Sequence, residues 1–229
     1  MSSLIASNLD DVRARIEAAC ARSGRDPKEV TLIAVSKTKP LEDLKDAYAA
    51  GSRDFGENKV QEIVSKAPEM PEDARFHMIG HLQRNKVKQV LKHVVMIHSV
   101  DSVRLAEQIQ EEAAKEGLHV DVLLEVNVAK EESKFGFTPE EVEAAVQVIK
   151  DFPNIHICGL MTIAPFVENP EENRPVFQKL YQLAVDIKSK NIDNVTMGVL
   201  SMGMTGDYEV AVEEGATMIR VGTGIFGAR

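Results

Sequence analysis

The chain has only two cysteines in 229 residues and fewer positive than negative charges. It also lacks any apolar stretch approaching the roughly 18 residues that would suggest a membrane span. Each shortage excludes a class of protein. Cys20 and Cys158 lie far apart with no C-x-x-C companion and no dense histidine neighbourhood, so neither a disulfide framework nor a zinc site is expected. A reducing compartment is the simpler setting for such thiols. A net charge of −9 argues against nucleic acid as a main partner, because binding a phosphate backbone needs clustered Lys and Arg. The N-terminal stretch carries Asp10 and Asp11 and no apolar core, unlike a secretory or mitochondrial leader, so a cytoplasmic protein is expected. What is present, 44% hydrophobic and 28% charged residues, is the composition of a globular fold with a large core.

Helix and strand signals alternate along the whole chain. Leu9, Val12, Ile16 and Cys20 recur at helical spacing and line one face, and "GRDP" closes that helix. "VTLIAVSK" follows as a short apolar run of the kind a strand buried on both faces shows. Later strand candidates are "RDFGE", "RFHMIG", "VVMIHSV", "VDVLLEVNV", "IHICGLMTI", "VTMGVLSMG" and "TMIRVG". Between them, "TPEEVEAAVQVIKDFP" offers Thr138, Pro139 and Glu141 as a capped helix start. "DSVRLAEQIQEEAAKEG" predicts a helix after Asp101 that stops at Gly117. Eight strands with helices between them and no linker predict a single α/β domain over residues 1–229, a (β/α)8 TIM barrel. A doubly wound open sheet is the alternative.

Near the C-terminus, "GTGIFG" matches the G-x-G-x-x-G dinucleotide pattern. That reading requires a following helix and an acidic residue about twenty positions later, and only Ala228 and Arg229 follow Gly227. A glycine turn can still present backbone N–H groups to an anion. Barrel phosphate sites often use the loops after strands seven and eight. "SMGMTGD" and "GTGIFG" fall there, bringing the hydroxyls of Ser201, Thr205 and Thr223. Ordinary glycine turns are the bland reading of either loop.

Lys37 in "AVSKTKP" leaves the end of the first apolar strand. It is either a solvated lysine or an amine at the barrel mouth, where partial desolvation favours a nucleophile able to form a Schiff base. Arg220 is embedded in "TMIRVG", and a buried cation demands a partner, either a carboxylate such as Glu57 or Glu125 or a ligand atom. His77 and His81 in "HMIGHLQRNKVKQV" are expected as core or supporting groups, because a glycine between them breaks the helical spacing a metal pair needs. No metal site is expected. Lys134 in "VAKEESKFGF" is expected on a polar loop, and Asn58 in "FGEN" is either a cofactor contact or a helix cap.

Taken together, "AVSKTKP", "FGENKVQE", "HMIGHLQRNK", "ESKFGF", "GLMTIAP" and "SMGMTGDYEVAVEEGATMIRVGTGIFG" resemble the pyridoxal phosphate homeostasis proteins, the YggS/PROSC family, along nearly the whole chain. The resemblance implies the barrel of the alanine racemase N-terminal domain, with pyridoxal 5′-phosphate (PLP) as cofactor. Carried over by position, it implies Lys37 as the Schiff-base lysine, Ser201, Gly222 and Thr223 at the phosphate, and Arg220 facing the pyridine nitrogen. Asn58 and Met161 would line the cofactor. Thr205 departs from the family's usual serine but keeps the hydroxyl.

A guanidinium beside the pyridine nitrogen disfavours its protonation and makes the ring a poorer electron sink. Two-sided racemisation also needs an acid/base group on each face of the substrate carbon. Alanine racemases bring a tyrosine from a second domain, and here Tyr48, Tyr181 and Tyr208 all fall in expected helices. The expectation is therefore a non-catalytic PLP-binding protein of vitamin B6 and amino-acid homeostasis, with no catalytic residue assigned. Its partners would be PLP and apo PLP-dependent enzymes, and a monomer is the default. Two alternatives stay open: a PLP-dependent amino-acid racemase or lyase, and a cofactor-free aldolase-like barrel using Lys37.

Overall fold

The computed structural model describes residues 4–131 and 134–228. All eight expected strands form: β1 Thr31–Val35, β2 Asp54–Glu57, β3 Arg75–Met78, β4 Met96–Val100, β5 Val120–Glu125, β6 Ile155–Met161, β7 Val195–Met204 and β8 Met218–Val221. Each pairs in parallel with its sequence neighbour, and β8 returns to β1 from Thr31↔Met218 to Ala34↔Val221. That last pairing closes the sheet and excludes the doubly wound alternative. Closure also leaves no unpaired strand edge.

The helices are α1 Leu4–Ser23, α2 Leu41–Ala49, α3 Val60–Lys66, α4 Val87–Val90, α5 Val103–Glu116, α6 Pro139–Ile149, α7 Arg174–Ser189, α8 Tyr208–Glu213 and α9 Thr223–Phe226. Local chemistry sets their ends. The Ser102 hydroxyl accepts from the Leu105 N–H to start α5, and Gly117 at φ 64° stops it in the left-handed region. At α6 the Glu141 carboxylate accepts from both the N–H and the hydroxyl of Thr138, at 2.8 and 3.0 Å.

Strand alternation divides the interior into two layers. In β5, Val120, Val122 and Leu124 face the helices and join a core with Leu9, Ile16, Ile109 and Val146. Asp121, Leu123 and Glu125 face the barrel axis, where Leu123 packs with Met96, Cys158 and Met161. An apolar cluster thus lines this side of the axis between polar groups at the two ends of β5. Cys20 and Cys158 are buried free thiols.

The register of β6 on β7 shifts between Ile157 and Gly159, and this shift brings Met161 level with Ser201. Only glycine fits at 159, because a Cβ there would lie 1.8 Å from the Val199 carbonyl oxygen. Gly159→Ala is expected to cost about 3 kcal/mol or more, since the clash is with backbone that cannot rotate away. Urea unfolding checks this, and an unchanged midpoint would mean that the two strands can separate without loss.

Candidate functional site

Lys37 follows β1 on a turn held from three sides. Ser36 donates its hydroxyl to Glu57 Oε1 at 2.6 Å, and its N–H bonds the Gly56 carbonyl. The ammonium of Lys66, buried in α3, donates to the Ser36 carbonyl, Glu57 Oε1 and Glu62 Oε1 at 3.0, 2.9 and 2.8 Å. Glu62 Oε1 in turn accepts from the Thr38 N–H at 2.7 Å. Thr38 sits at φ 65°, a strained conformation for a β-branched residue that persists only where its surroundings enforce it. Burial pushes the Glu57 carboxyl up against the pull of Lys66 and Ser36, and its Oε2 is buried without a hydrogen-bond partner. Lys37 is half-buried at the apex of this turn.

The third support ties the lysine turn to the glycine motif at the C-terminus. Lys39 Nζ donates to the carbonyls of Phe226, Gly227 and Ala228 at 3.0, 3.3 and 3.2 Å. Gly222 packs against Val35, the residue two before Lys37. Across the same corner, Thr205 Oγ1 accepts long bonds of 3.3 Å from the N–H groups of Gly222 and Gly224. The loop carrying Thr205 is fixed by Asp207, which accepts from the Met204 N–H and from Asn173 Nδ2 at 2.7 and 2.8 Å. One hydroxyl and two backbone donors therefore converge where β7 and β8 end, with the exposed Thr223 beside them.

Ser201 is elsewhere. Because β7 runs on through Met204, "SMGM" is strand rather than loop, and the Ser201 hydroxyl points into the barrel. It accepts from Arg220 Nη1 at 2.6 Å and lies 2.8 Å from His98 Nδ1. His98 Nε2 is 3.0 Å from His77 Nδ1, and His77 Nε2 is 3.0 Å from Asp54 Oδ1. Arg75 completes the chain with a bidentate pair to Asp54 at 2.8 and 2.6 Å. Burial first, then His77 and Arg220, hold His98 well below the ordinary imidazole range, so its ring is neutral. A single direction of donation satisfies every group: Arg220 to Ser201, Ser201 to His98, His98 to His77, and His77 to Asp54. Burial alone would raise the Asp54 carboxyl, but Arg75 and His77 outweigh it and hold it at about 2.

Among the described residues Arg220 has no carboxylate in direct contact. Its Nη2 donates to the Thr162 carbonyl at 2.8 Å, so of the two readings left open, an ion pair with Glu57 or Glu125 does not form and neutral acceptors take its place. Glu57 is committed to Lys66 and Ser36. Burial pulls Arg220 down to about 10, with Glu125 and Asp207 opposing from a distance, and it stays cationic at neutral pH. Glu125, at the end of β5, is level with Met161 in the next strand. Burial and then nearby Asp101 push its carboxyl up to about 7, against Arg220 and Lys134. Asp101 bonds His81 Nδ1 at 2.8 Å, and His81 stacks on Phe135.

The sites expected from sequence thus share one end of the barrel. Lys37, Asn58, Met161, Arg220, Gly222 and Thr223 all stand at or just beyond the C-terminal ends of strands. Asn58 is seated by Gly80, where a Cβ would lie 2.6 Å from the Asn58 carbonyl oxygen. Lys134 is exposed, and Ser133 of the "ESKFGF" motif lies outside the described residues. Sequence reading missed His98, Asp54, Thr162 and Lys66. Only a buried histidine in the "VVMIHSV" strand signalled the first of them.

The sequence profile of the family "Alanine racemase, N-terminal domain" matches residues 7–229. A curated relative in Aquifex aeolicus, named pyridoxal phosphate homeostasis protein, is 45% identical over 222 residues and 96% of each chain. The Escherichia coli K12 protein of the same name is 39% identical over 230 residues, covering 98% of this chain and 97% of its own. The structure of PipY from Synechococcus elongatus with PLP bound is 36% identical, with a TM-score of 0.85 over 97% of this chain and all of that one. Alanine racemase of Corynebacterium glutamicum shares the fold, with a TM-score of 0.74 at 14% identity over 62% of its length.

The Glu125 environment makes stability pH-dependent. Its folded-state value lies above the ordinary 4.5, so between about pH 4.5 and 7 the folded chain keeps a proton that the unfolded chain releases. Stability contributed by that proton is lost as pH rises through this window. Glu125→Gln removes the loss, so the variant should exceed wild type by up to about 3 kcal/mol near pH 8 and match it near pH 4. Urea titrations across pH test this, and a pH-independent difference would show that Glu125 titrates normally.

Proposed function

The chain belongs to the pyridoxal phosphate homeostasis proteins, on the fold of the alanine racemase N-terminal domain, and from that premise we propose that it holds PLP reversibly on Lys37. The observation that carries this reading is the tie between the two anchors. Lys39 fixes the turn of Lys37 to the carbonyls that follow the "GTGIFG" backbone, so the amine and the anion-binding corner keep a set separation. An aldehyde and a phosphate on one small molecule match that pair.

When bound, PLP supplies an aldehyde that a lysine can hold and exchange. The chain's own residues do the rest. Thr205 Oγ1 and the N–H groups of Gly222 and Gly224 bind the phosphate, with Thr223 at its edge. Arg220 would face the ring nitrogen and disfavour its protonation, with Ser201, expected at the phosphate, accepting a hydrogen bond from Arg220. Asn58 and Met161 line the ring. The turn built on Glu57, Lys66 and Glu62 positions the Lys37 backbone.

The tyrosines support a carrier over an enzyme. Tyr48 bonds Asp73 and stacks under Arg53, ahead of β3, and Tyr181 packs on Gly215, ahead of β8. Both belong to the N-terminal end of the barrel. Tyr208 is buried at the start of α8 and lines a groove with Arg15, Arg22 and Thr205, on the phosphate side of the site. We accordingly propose storage and delivery of PLP to apo PLP-dependent enzymes, by a cytoplasmic monomer. Among the described residues no helix is long and apolar enough to cross a membrane.

Glu125 favours a second reading, an amino-acid racemase or lyase. A carboxyl near 7 at a strand end can give and take a proton at physiological pH.

Absorption spectroscopy with borohydride reduction and peptide mapping tests the first reading. Added PLP should give a visible band, and reduction should leave its mass on the peptide containing Lys37. Both should vanish in Lys37→Ala, whereas no band and no mass with excess PLP would overturn the assignment. Proton exchange at the α-carbon of amino acids in heavy water separates the two readings. A carrier gives none above free PLP, whereas exchange that falls at least tenfold in Glu125→Gln would establish the enzyme.

A further inference from the structure

At the opposite end of the barrel the strand register assembles three metal-ligand types that the sequence scatters. Asp121 in β5 pairs directly with His156 in β6, and Cys158 lies two residues further along β6 on the same face. His156 Nδ1 is 3.0 Å from Asp121 Oδ1 and 3.4 Å from Cys158 Sγ. The three donor atoms all lie within 4.8 Å of one another. We propose that Asp121, His156 and Cys158 form a binding site for a divalent cation of the zinc class, separate from the Lys37 end of the barrel.

Both separations from His156 Nδ1 are near those such an ion needs. With zinc bonds of about 2.0–2.1 Å to nitrogen and oxygen and about 2.3 Å to sulfur at tetrahedral angles, nitrogen and sulfur stand about 3.6 Å apart, and nitrogen and oxygen about 3.3 Å. The observed separations fall short of these by a few tenths of an ångström, so a small outward movement opens the centre. All three heteroatoms converge through the same ring nitrogen, Nδ1. This differs from a Cys-His-Asp catalytic relay, in which sulfur and carboxylate use opposite ring nitrogens. The carboxylate oxygen and the sulfur both face Nδ1, and a cation between them would bond all three at once.

The surroundings also suit a metal. Cys158 Sγ belongs to the apolar cluster with Met96, Leu123 and Met161, which gives the centre a dry floor. The side chains of Asp121 and His156 are 50% and 36% exposed, which leaves an entry path and a fourth position for water. A mixed S, N and O donor set favours zinc and its neighbours over magnesium or calcium. Carboxylate and thiolate together neutralise a divalent charge. The thiol proton is displaced to solvent as the sulfur bonds the cation.

Cobalt(II) titration of the full-length protein, stripped first with chelator, tests the site. Wild type should develop a near-ultraviolet thiolate-to-cobalt band at one equivalent, together with visible bands of four-coordinate cobalt, and zinc should bleach both. Cys158→Ser should abolish the thiolate band and Cys20→Ser should keep it. Asp121→Asn, a change at a half-exposed position that leaves the fold intact, should weaken cobalt binding at least tenfold, as should His156→Gln. No thiolate band in wild type at excess cobalt, a band that survives Cys158→Ser, or unchanged affinity in both Asp121→Asn and His156→Gln would overturn the proposal.

Discussion

A guanidinium inside a barrel is the constraint around which the rest of the interior is arranged. Arg220 is almost wholly buried, and an uncompensated charge there would cost several kcal/mol. The compensation comes from dipoles rather than from a partner anion: the Thr162 carbonyl on one nitrogen and the Ser201 hydroxyl on the other. Ser201 can accept from Arg220 because it passes its own proton on to His98, which requires His77 and finally a carboxylate held ionised by Arg75. A charge at one end of the barrel is thus linked through hydrogen bonds to the Asp54–Arg75 ion pair at the other. Half-satisfied networks of this kind are costly, which binds six side chains from five strands into one cooperative unit.

The second network works differently. Lys66 reaches from a helix into the corner between β1 and β2 and collects Glu57, Glu62 and the Ser36 carbonyl. Its product is a backbone shape: Thr38 in the left-handed region and, next to it, Lys37 at the apex of a turn. Lys39 then bonds this turn to the C-terminal carbonyls. A flexible lysine becomes a usable anchor only if its backbone does not wander, and the strain at Thr38 is the sign that this backbone is held.

How much of this was legible depended on whether the signal was local. The eight strands read directly, because most are short apolar runs between clear breakers. The helix starts at Thr138 and the stop at Gly117 read for the same reason. Lys37 and Arg220 stood out because each breaks its own local pattern, a charge at the end of, or inside, an apolar strand. The polar chain did not read, because Asp54, His77, His98 and Ser201 come from four strands and are related only through register. Ser201 illustrates the limit best. Its motif suggested a loop hydroxyl although the strand candidate already ran through it, and the strand, which continues to Met204, turns it inward. The Asp121, His156 and Cys158 cluster was hidden likewise, since Cys158 has no cysteine companion and its carboxylate partner lies 37 residues away across a strand pair.

Both networks close on protein groups alone, and this bears on what the barrel mouth can do. The Arg220 chain ends at Asp54 and Arg75, and the Lys66 cluster ends at Glu57 and Glu62. A small molecule gripped by Lys37 and the Thr205 corner can enter or leave without breaking either network, so exchange carries little reorganisation cost. Catalysis asks for the contrary, a proton-transfer group whose satisfaction depends on the reacting molecule. Glu125 has that character: its carboxyl is raised to about 7 by burial and Asp101, and it senses Arg220 only at a distance. Whether such a barrel stores its ligand or transforms it therefore turns on the Glu125 carboxyl, set against two networks whose donors are already engaged.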